Sequence, residues 1–187
     1  MGECFVKKRN ITSLVAGGLM AALLPGAAMA QAEAEGAVTF GENITCEFGQ
    51  GSAAGLPACE ASEDGTILTL TFLNPQTRSG PFDGISVLDG KMVGNFAEGT
   101  FEVSGSVFFS GEVEGCGEGT VLFDYAGAGV LDETGAPVWE TNMLTSVPGG
   151  TLPVTATIDE LDTNQAVPNG DGSSTLISNV TYSCDTA

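Results

Sequence analysis

Between residues 101 and 115 apolar and polar side chains alternate with a period of two. Phe101, Val103, Gly105, Val107, Phe109, Gly111, Val113 and Gly115 fall on one parity, and Glu102, Ser104, Ser106, Phe108, Ser110, Glu112 and Glu114 on the other. An extended strand gives such a segment one dry face and one wet face, whereas a helix scatters the same residues around its circumference. The alternation therefore calls for an antiparallel sheet with one face buried. After a turn at 114–119 the parity resumes at Val121, Phe123 and Tyr125 against Thr120 and Asp124, which predicts a long hairpin with Leu122 as the apolar exception outside. Gly105 and Gly111 lie on the dry face, where a missing side chain lets a long strand bend, and this favours a closed sheet over a flat one.

Further strands are predicted over residues 38–48, 66–73, 85–88, 92–96, 138–147, 152–158 and 176–184, with turns at Asp89-Gly90, Glu133-Thr134-Gly135 and Asn169-Gly170. No helical period appears outside the first thirty residues. Short turns joining seven to nine strands predict an all-β fold, an antiparallel up-and-down barrel of about eight strands, with a β-sandwich as the alternative. On this parity Phe101, Phe109, Phe123 and Tyr125 point inward, and they are the candidate residues for contact with a small apolar ligand. Small barrels are either filled by their own side chains or hold one such molecule.

The first thirty residues carry a basic patch (Lys7, Lys8, Arg9), an apolar run from about Ile11 to Ala28 and a small-residue ending, Ala28-Met29-Ala30. This is the layout of a secretory signal peptide cleaved near Ala30, too short and too interrupted by Gly17, Gly18 and Pro25 for a membrane span. Residues 31–187 then form a single domain, periplasmic or extracellular, with no membrane insertion once the leader is gone. The chain's formal charge is −19, and residues 31–187 set only Arg78 and Lys91 against 23 carboxylates, about −21. Such a balance repels phosphate backbones and excludes nucleic acid as a partner.

Four cysteines follow the leader: Cys46, Cys59, Cys116 and Cys184. An even count in an exported chain favours two disulfides. Cys46 and Cys184 both fall on inward parities of the first and last strands, which become neighbours when a meander closes, so Cys46–Cys184 with Cys59–Cys116 is the favoured pairing. The rival, Cys46–Cys59, merely cinches the Gly- and Ala-rich loop after the first strand.

Phe109-Ser110-Gly111-Glu112-Val113-Glu114-Gly115-Cys116-Gly117 resembles the strand-and-turn signature of an uncharacterised bacterial family of allene oxide cyclase-like barrels, and Val147-Pro148-Gly149-Gly150-Thr151 resembles a second piece of it. Together they cover about a tenth of the chain after the leader. The resemblance implies an eight-stranded antiparallel barrel with a central cavity and transfers no catalytic residue.

The chain has no histidine. Without it, and with the cysteines paired, nucleophilic triads lack their usual base and thiolate. No phosphate loop, dinucleotide fingerprint or metal-binding pair appears, so neither cofactor nor metal is expected. Asp159, Glu160, Asp162, Asn164, Asn169 and Asp171 form a polar cluster that supplies oxygen ligands without the ligand order of a calcium loop, and it reads as a solvated acidic loop. The sequence thus predicts a non-enzymatic barrel that binds a small apolar ligand or a protein partner. A cyclase-like or carboxylate-pair enzyme is the first alternative, to be distinguished by a buried carboxylate facing an interior cavity. A calcium-stabilised surface module is the second.

Overall fold

The computed structural model describes residues 31–161, 167–171 and 173–185; the leader expected over residues 1–30 lies outside them, as do Asp162 and Asn164 of the polar cluster. The strands are β1 (Ala32–Phe40), β2 (Ile44–Thr45), β3 (Glu60–Ala61), β4 (Ile67–Ser79), β5 (Phe82–Asn95), β6 (Thr100–Val113), β7 (Gly117–Leu131), β8 (Pro137–Val147), β9 (Val154–Asp159), β10 (Val167–Pro168) and β11 (Ser174–Cys184). Eight of them close an antiparallel barrel in the order β1-β11-β9-β8-β7-β6-β5-β4, with β4 returning to β1. The two-residue strands β2 and β3 pair with the first half of β4, and β10 pairs with β11. No helix among the described residues is long and apolar enough to cross a membrane.

The period-two pattern positions the core. Odd residues of β6 and β7 point inward, so Phe101, Phe109 and Phe123 are all but inaccessible to solvent, while Glu112 and Glu114 stand outside. β5 and β6 approach closely where glycine faces glycine, Gly90 opposite Gly105 and Gly84 opposite Gly111. A Cβ on Gly105 would overlap the Asp89 carbonyl oxygen and reach Gly90 Cα at 2.9 Å, and one on Gly111 would overlap the Asp83 carbonyl oxygen. These glycines let two long strands bend across each other, which closure requires.

One end of the barrel is sealed. There Phe82 meets Phe109, Phe123 and Tyr182 edge to face, with ring centroids 5.3, 5.6 and 6.0 Å apart. Val113, Val121, Ala156 and Val180 fill the spaces between the rings. The Cys116–Cys184 disulfide ties the β6–β7 turn to the last residue of β11 at this end.

The predicted cysteine pairing is corrected. The bridges are Cys46–Cys59 and Cys116–Cys184, each with Cα atoms 5.3 Å apart. β1 ends at Phe40, so Cys46 lies beyond it, and Ile44 and Phe48, expected inside, are exposed. β1 and β11 are antiparallel with Ala32 opposite Tyr182, so Cys184 sits beside the start of β1, whereas Cys46 follows its end. Cys46 instead joins Cys59 and Leu56 in a small cluster with Leu70 and Leu73.

The Asp89-Gly90 turn is a second correction, because β5 runs unbroken through both residues. Gly90 is needed there for space, since a Cβ would collide with the Phe72 ring. The other two predicted turns hold. Gly135 and Gly170 have φ of 81° each, and the backbone bonds Asp132 N–H to Ala136 O and Asn169 N–H to Ser173 O close them.

Candidate functional site

The half of the barrel away from the aromatic seal encloses a cavity of about 750 Å³. Its apolar wall includes Leu70, Phe72, Leu88, Met92, Val103 and Trp139. Glycines make room for the rings. Phe72 lies over Gly90, and Trp139 lies over Gly127, where a Cβ would come within 2.5 Å of its Cζ3. Phe101 stands behind Trp139 with centroids 4.9 Å apart and planes 88° apart, fixing the indole from outside the cavity. The wall is thus aromatic at the position of the chain's single tryptophan.

Between cavity and seal lies a polar layer. Alternate residues of β4 continue inward from Phe72 as Asn74, Gln76 and Arg78, all buried. Arg78 Nη2 donates to Gln76 Oε1 and to Glu160 Oε1, both at 3.0 Å, and Arg78 Nε donates to Ser86 Oγ at 3.1 Å. Ser86 Oγ donates in turn to Gln76 Oε1 at 2.9 Å. The ion pair crosses the interior from β4 to the residue after β9, strands separated in the sheet by β1 and β11. Leaving either charge without its partner there costs about 3–5 kcal/mol, because a lone ion would be stranded out of water.

Glu160 also lines the cavity. Burial raises its carboxyl above the ordinary value, against the opposing pull of Arg78. This corrects the reading of 159–171 as a solvated loop throughout: Glu160 continues the inward parity of Ala156 and Ile158 and turns into the barrel. Asp159 and Asp171 do serve turns, accepting from Leu161 N–H at 2.9 Å and Ser173 N–H at 2.9 Å.

Two amides of the cavity wall carry an unpartnered oxygen buried away from the cavity surface. Asn142 on β8 is 8% exposed and Asn74 on β4 is 5% exposed, and the Oδ1 of each has no hydrogen-bond partner among the described residues. Asn74 Nδ2 donates to Gly41 O at 3.0 Å and to Asn43 Oδ1 at 2.7 Å, so its free atom is the oxygen. Tyr125, opposite Gly105 and Leu144 on the neighbouring strands, completes the polar side of the wall. Burial, reinforced by Glu160, pushes its hydroxyl pKa up, so it stays protonated and able to donate.

Of the four candidates named from sequence, Tyr125 lines the cavity. Phe109 and Phe123 lie in the aromatic seal and Phe101 backs Trp139, because inward parity fixes a side chain's face and not its height along the barrel. The residues missed were Asn74, Gln76, Arg78 and Asn142, and Glu160 was named only as part of the polar cluster. A signal for Glu160 existed in the parity run Ala156, Ile158, Glu160, and for Arg78 in its being one of only two cations after residue 30. Glu160 is the one carboxylate among the described residues lining the cavity. No protein-family model matches the chain, and no curated protein matches it either.

Proposed function

We propose that this protein binds one small, largely apolar molecule in the open half of its barrel, in the periplasm or outside the cell. The observation that carries the reading is the cavity itself. Its volume of about 750 Å³ falls within the range of small-molecule sites, about 300–1,000 Å³, and its apolar wall converges on a few placed polar groups, as such sites do. The resemblance to allene oxide cyclase-like barrels agrees with an internal cavity, and two disulfides suit an oxidising compartment. Titration with the neutral dye N-phenyl-1-naphthylamine tests it: dye emission should rise with one-to-one saturation, and Leu70→Trp, which fills the cavity, should abolish the rise. Saturation that persists unchanged in Leu70→Trp, or none in the native protein, overturns the reading.

A second reading is favoured by Glu160, a buried carboxylate with a raised pKa facing the cavity beside a protonated Tyr125. A carboxyl tuned toward neutrality is suited to moving a proton on a bound apolar substrate, as in an isomerisation or cyclisation. Under this reading Glu160→Gln retains dye binding and loses turnover of any substrate found. Turnover that survives Glu160→Gln excludes it.

A further inference from the structure

Two of the polar groups that open on the cavity are donors, and they stand together. The amide oxygens of Asn74 and Asn142 are enclosed, and Asn74 Nδ2 is engaged by Gly41 O and Asn43 Oδ1. Asn142 Nδ2 and the Tyr125 hydroxyl remain. Both residues are more than nine-tenths buried, neither group has a hydrogen-bond partner among the described residues, and neither is among the enclosed atoms, so both offer their hydrogens to the cavity that their residues line. Register brings them together. Tyr125 on β7 is opposite Leu144 on β8 and Asn142 is opposite Gly127, so the two stand diagonally across one strand pair on the same inward face, a spacing that long side chains span. Trp139 lies over the same Gly127, which sets the indole beside them.

Charge at this place selects further. Glu160 N–H donates to Asn142 O at 2.9 Å, which seats a carboxylate next to the pair, and the Arg78 guanidinium that balances it is not part of the cavity wall. An anionic head group would meet Glu160 and a chain of formal charge −19 where water screens little. A cationic head group would bring donors to donors and find Glu160 already paired.

Resting on the binding reading above, we infer that the ligand is an uncharged, largely apolar carbonyl compound, a ketone, aldehyde or ester, whose oxygen accepts from the Tyr125 hydroxyl and from Asn142 Nδ2. A carbonyl oxygen has two lone pairs and no hydrogen, so it takes both donors and brings none. An alcohol adds a hydrogen of its own where two donors already wait for an acceptor, and a buried donor left unmade carries its full desolvation cost.

Three probes of one chain length decide the matter: decan-2-one, decan-2-ol and decanoate. The readout is the midpoint of the change in emission of Trp139, the chain's only tryptophan and part of the cavity wall. Decan-2-one should bind about tenfold more tightly than the alcohol or the acid, the equivalent of about 1.4 kcal/mol. Tyr125→Phe, which keeps the ring and removes the hydroxyl, should erase most of that preference, and so should Asn142→Leu. A second measurement needs no variant: the infrared carbonyl stretch of decan-2-one bound to the native protein should lie at lower wavenumber than in hexane. A stretch at the hexane position, equal affinity for ketone and alcohol, tightest binding of decanoate, or no binding of decan-2-one where the neutral dye saturates overturns the inference and leaves the binding site standing. If no probe binds and the dye also fails, the binding reading falls and takes this inference with it.

Discussion

Glu160 is held where a carboxylate is expensive, and the consequence is a stability that depends on pH in an unusual direction. Because its carboxyl sits above the ordinary 4.5 in the folded protein, folding takes up a proton there. The contribution is fully present below the ordinary value and is lost as pH rises through the elevated one. Asp64 behaves oppositely. Bonds from the Ser62 hydroxyl and from Thr66 hold it at about 2 against an ordinary 3.8, so its contribution is present above the ordinary value and lost as pH falls. Melting temperatures measured between about pH 3 and 8 should therefore show an acid limb from Asp64 and its like and a decline from Glu160 as pH rises above its ordinary value. Glu160→Gln should flatten the decline and spare the acid limb; an unchanged decline would place its origin elsewhere. Arg78→Leu, which leaves the carboxyl without its partner, should cost about 3–5 kcal/mol in chemical denaturation. The site was only half legible beforehand for a physical reason. Inward apolar residues announce themselves by contrast with their polar neighbours, but Asn74, Gln76 and Arg78 are polar residues facing inward beside Pro75, Thr77 and Ser79, and no contrast survives.

At the scale of strands, the glycines do two jobs that composition cannot separate. Gly105 is required by the approach of β5, so Gly105→Ala should cost about 1–3 kcal/mol, since the atoms it meets are main chain and cannot rotate away. Gly94 is buried on the same inward parity of β5, yet a Cβ there meets only Phe96 at 3.5 Å, an ordinary contact. Gly94→Ala should change stability by no more than about half a kcal/mol. Similar losses for the two, read from urea midpoints, would show that the strands do not pinch where described. Phe109→Ala in the seal should cost about 3–5 kcal/mol, and Glu112→Ala on the exposed face of the same strand at most about half. This strand and its partner β7 were readable almost residue for residue because one face is dry and the other wet along their length. β5 was cut in two at Asp89-Gly90, because a dipeptide favoured in hairpins is also what an unbroken strand uses under an aromatic ring.

Over the whole molecule, the two disulfides contribute unequally. Cys46 and Cys59 are 13 residues apart and fasten a satellite cluster, whereas Cys116 and Cys184 are 68 apart and join opposite arcs of the barrel. On the chain-entropy account the first contributes about 3 kcal/mol and the second about 4 kcal/mol. Replacing Cys116 and Cys184 by alanine should thus lower the denaturation midpoint more than replacing Cys46 and Cys59, and the reverse order would argue that native packing outweighs loop closure. An even cysteine count led to the expectation of two bridges, and both are present, although which cysteines pair depended on strand direction. Parity reports which face a residue occupies and says nothing of which end of the barrel it reaches.

The position of β1 sets the order in which this barrel can be made. It lies between β4 and β11, with Ala32 paired to Tyr182 at a separation of 150 residues, so β1 cannot meet its second neighbour until β11 has been made. The hairpins from β4 through β8 can zip locally in sequence, but the ring stays a curled ribbon until β11 arrives. Closure is therefore a late, slow step governed by contacts between strands far apart in the sequence. Without β11 the remaining strands would leave a half-pipe with its seam open, and neither the dry interior nor the Arg78–Glu160 pair would have formed a chamber to hold anything.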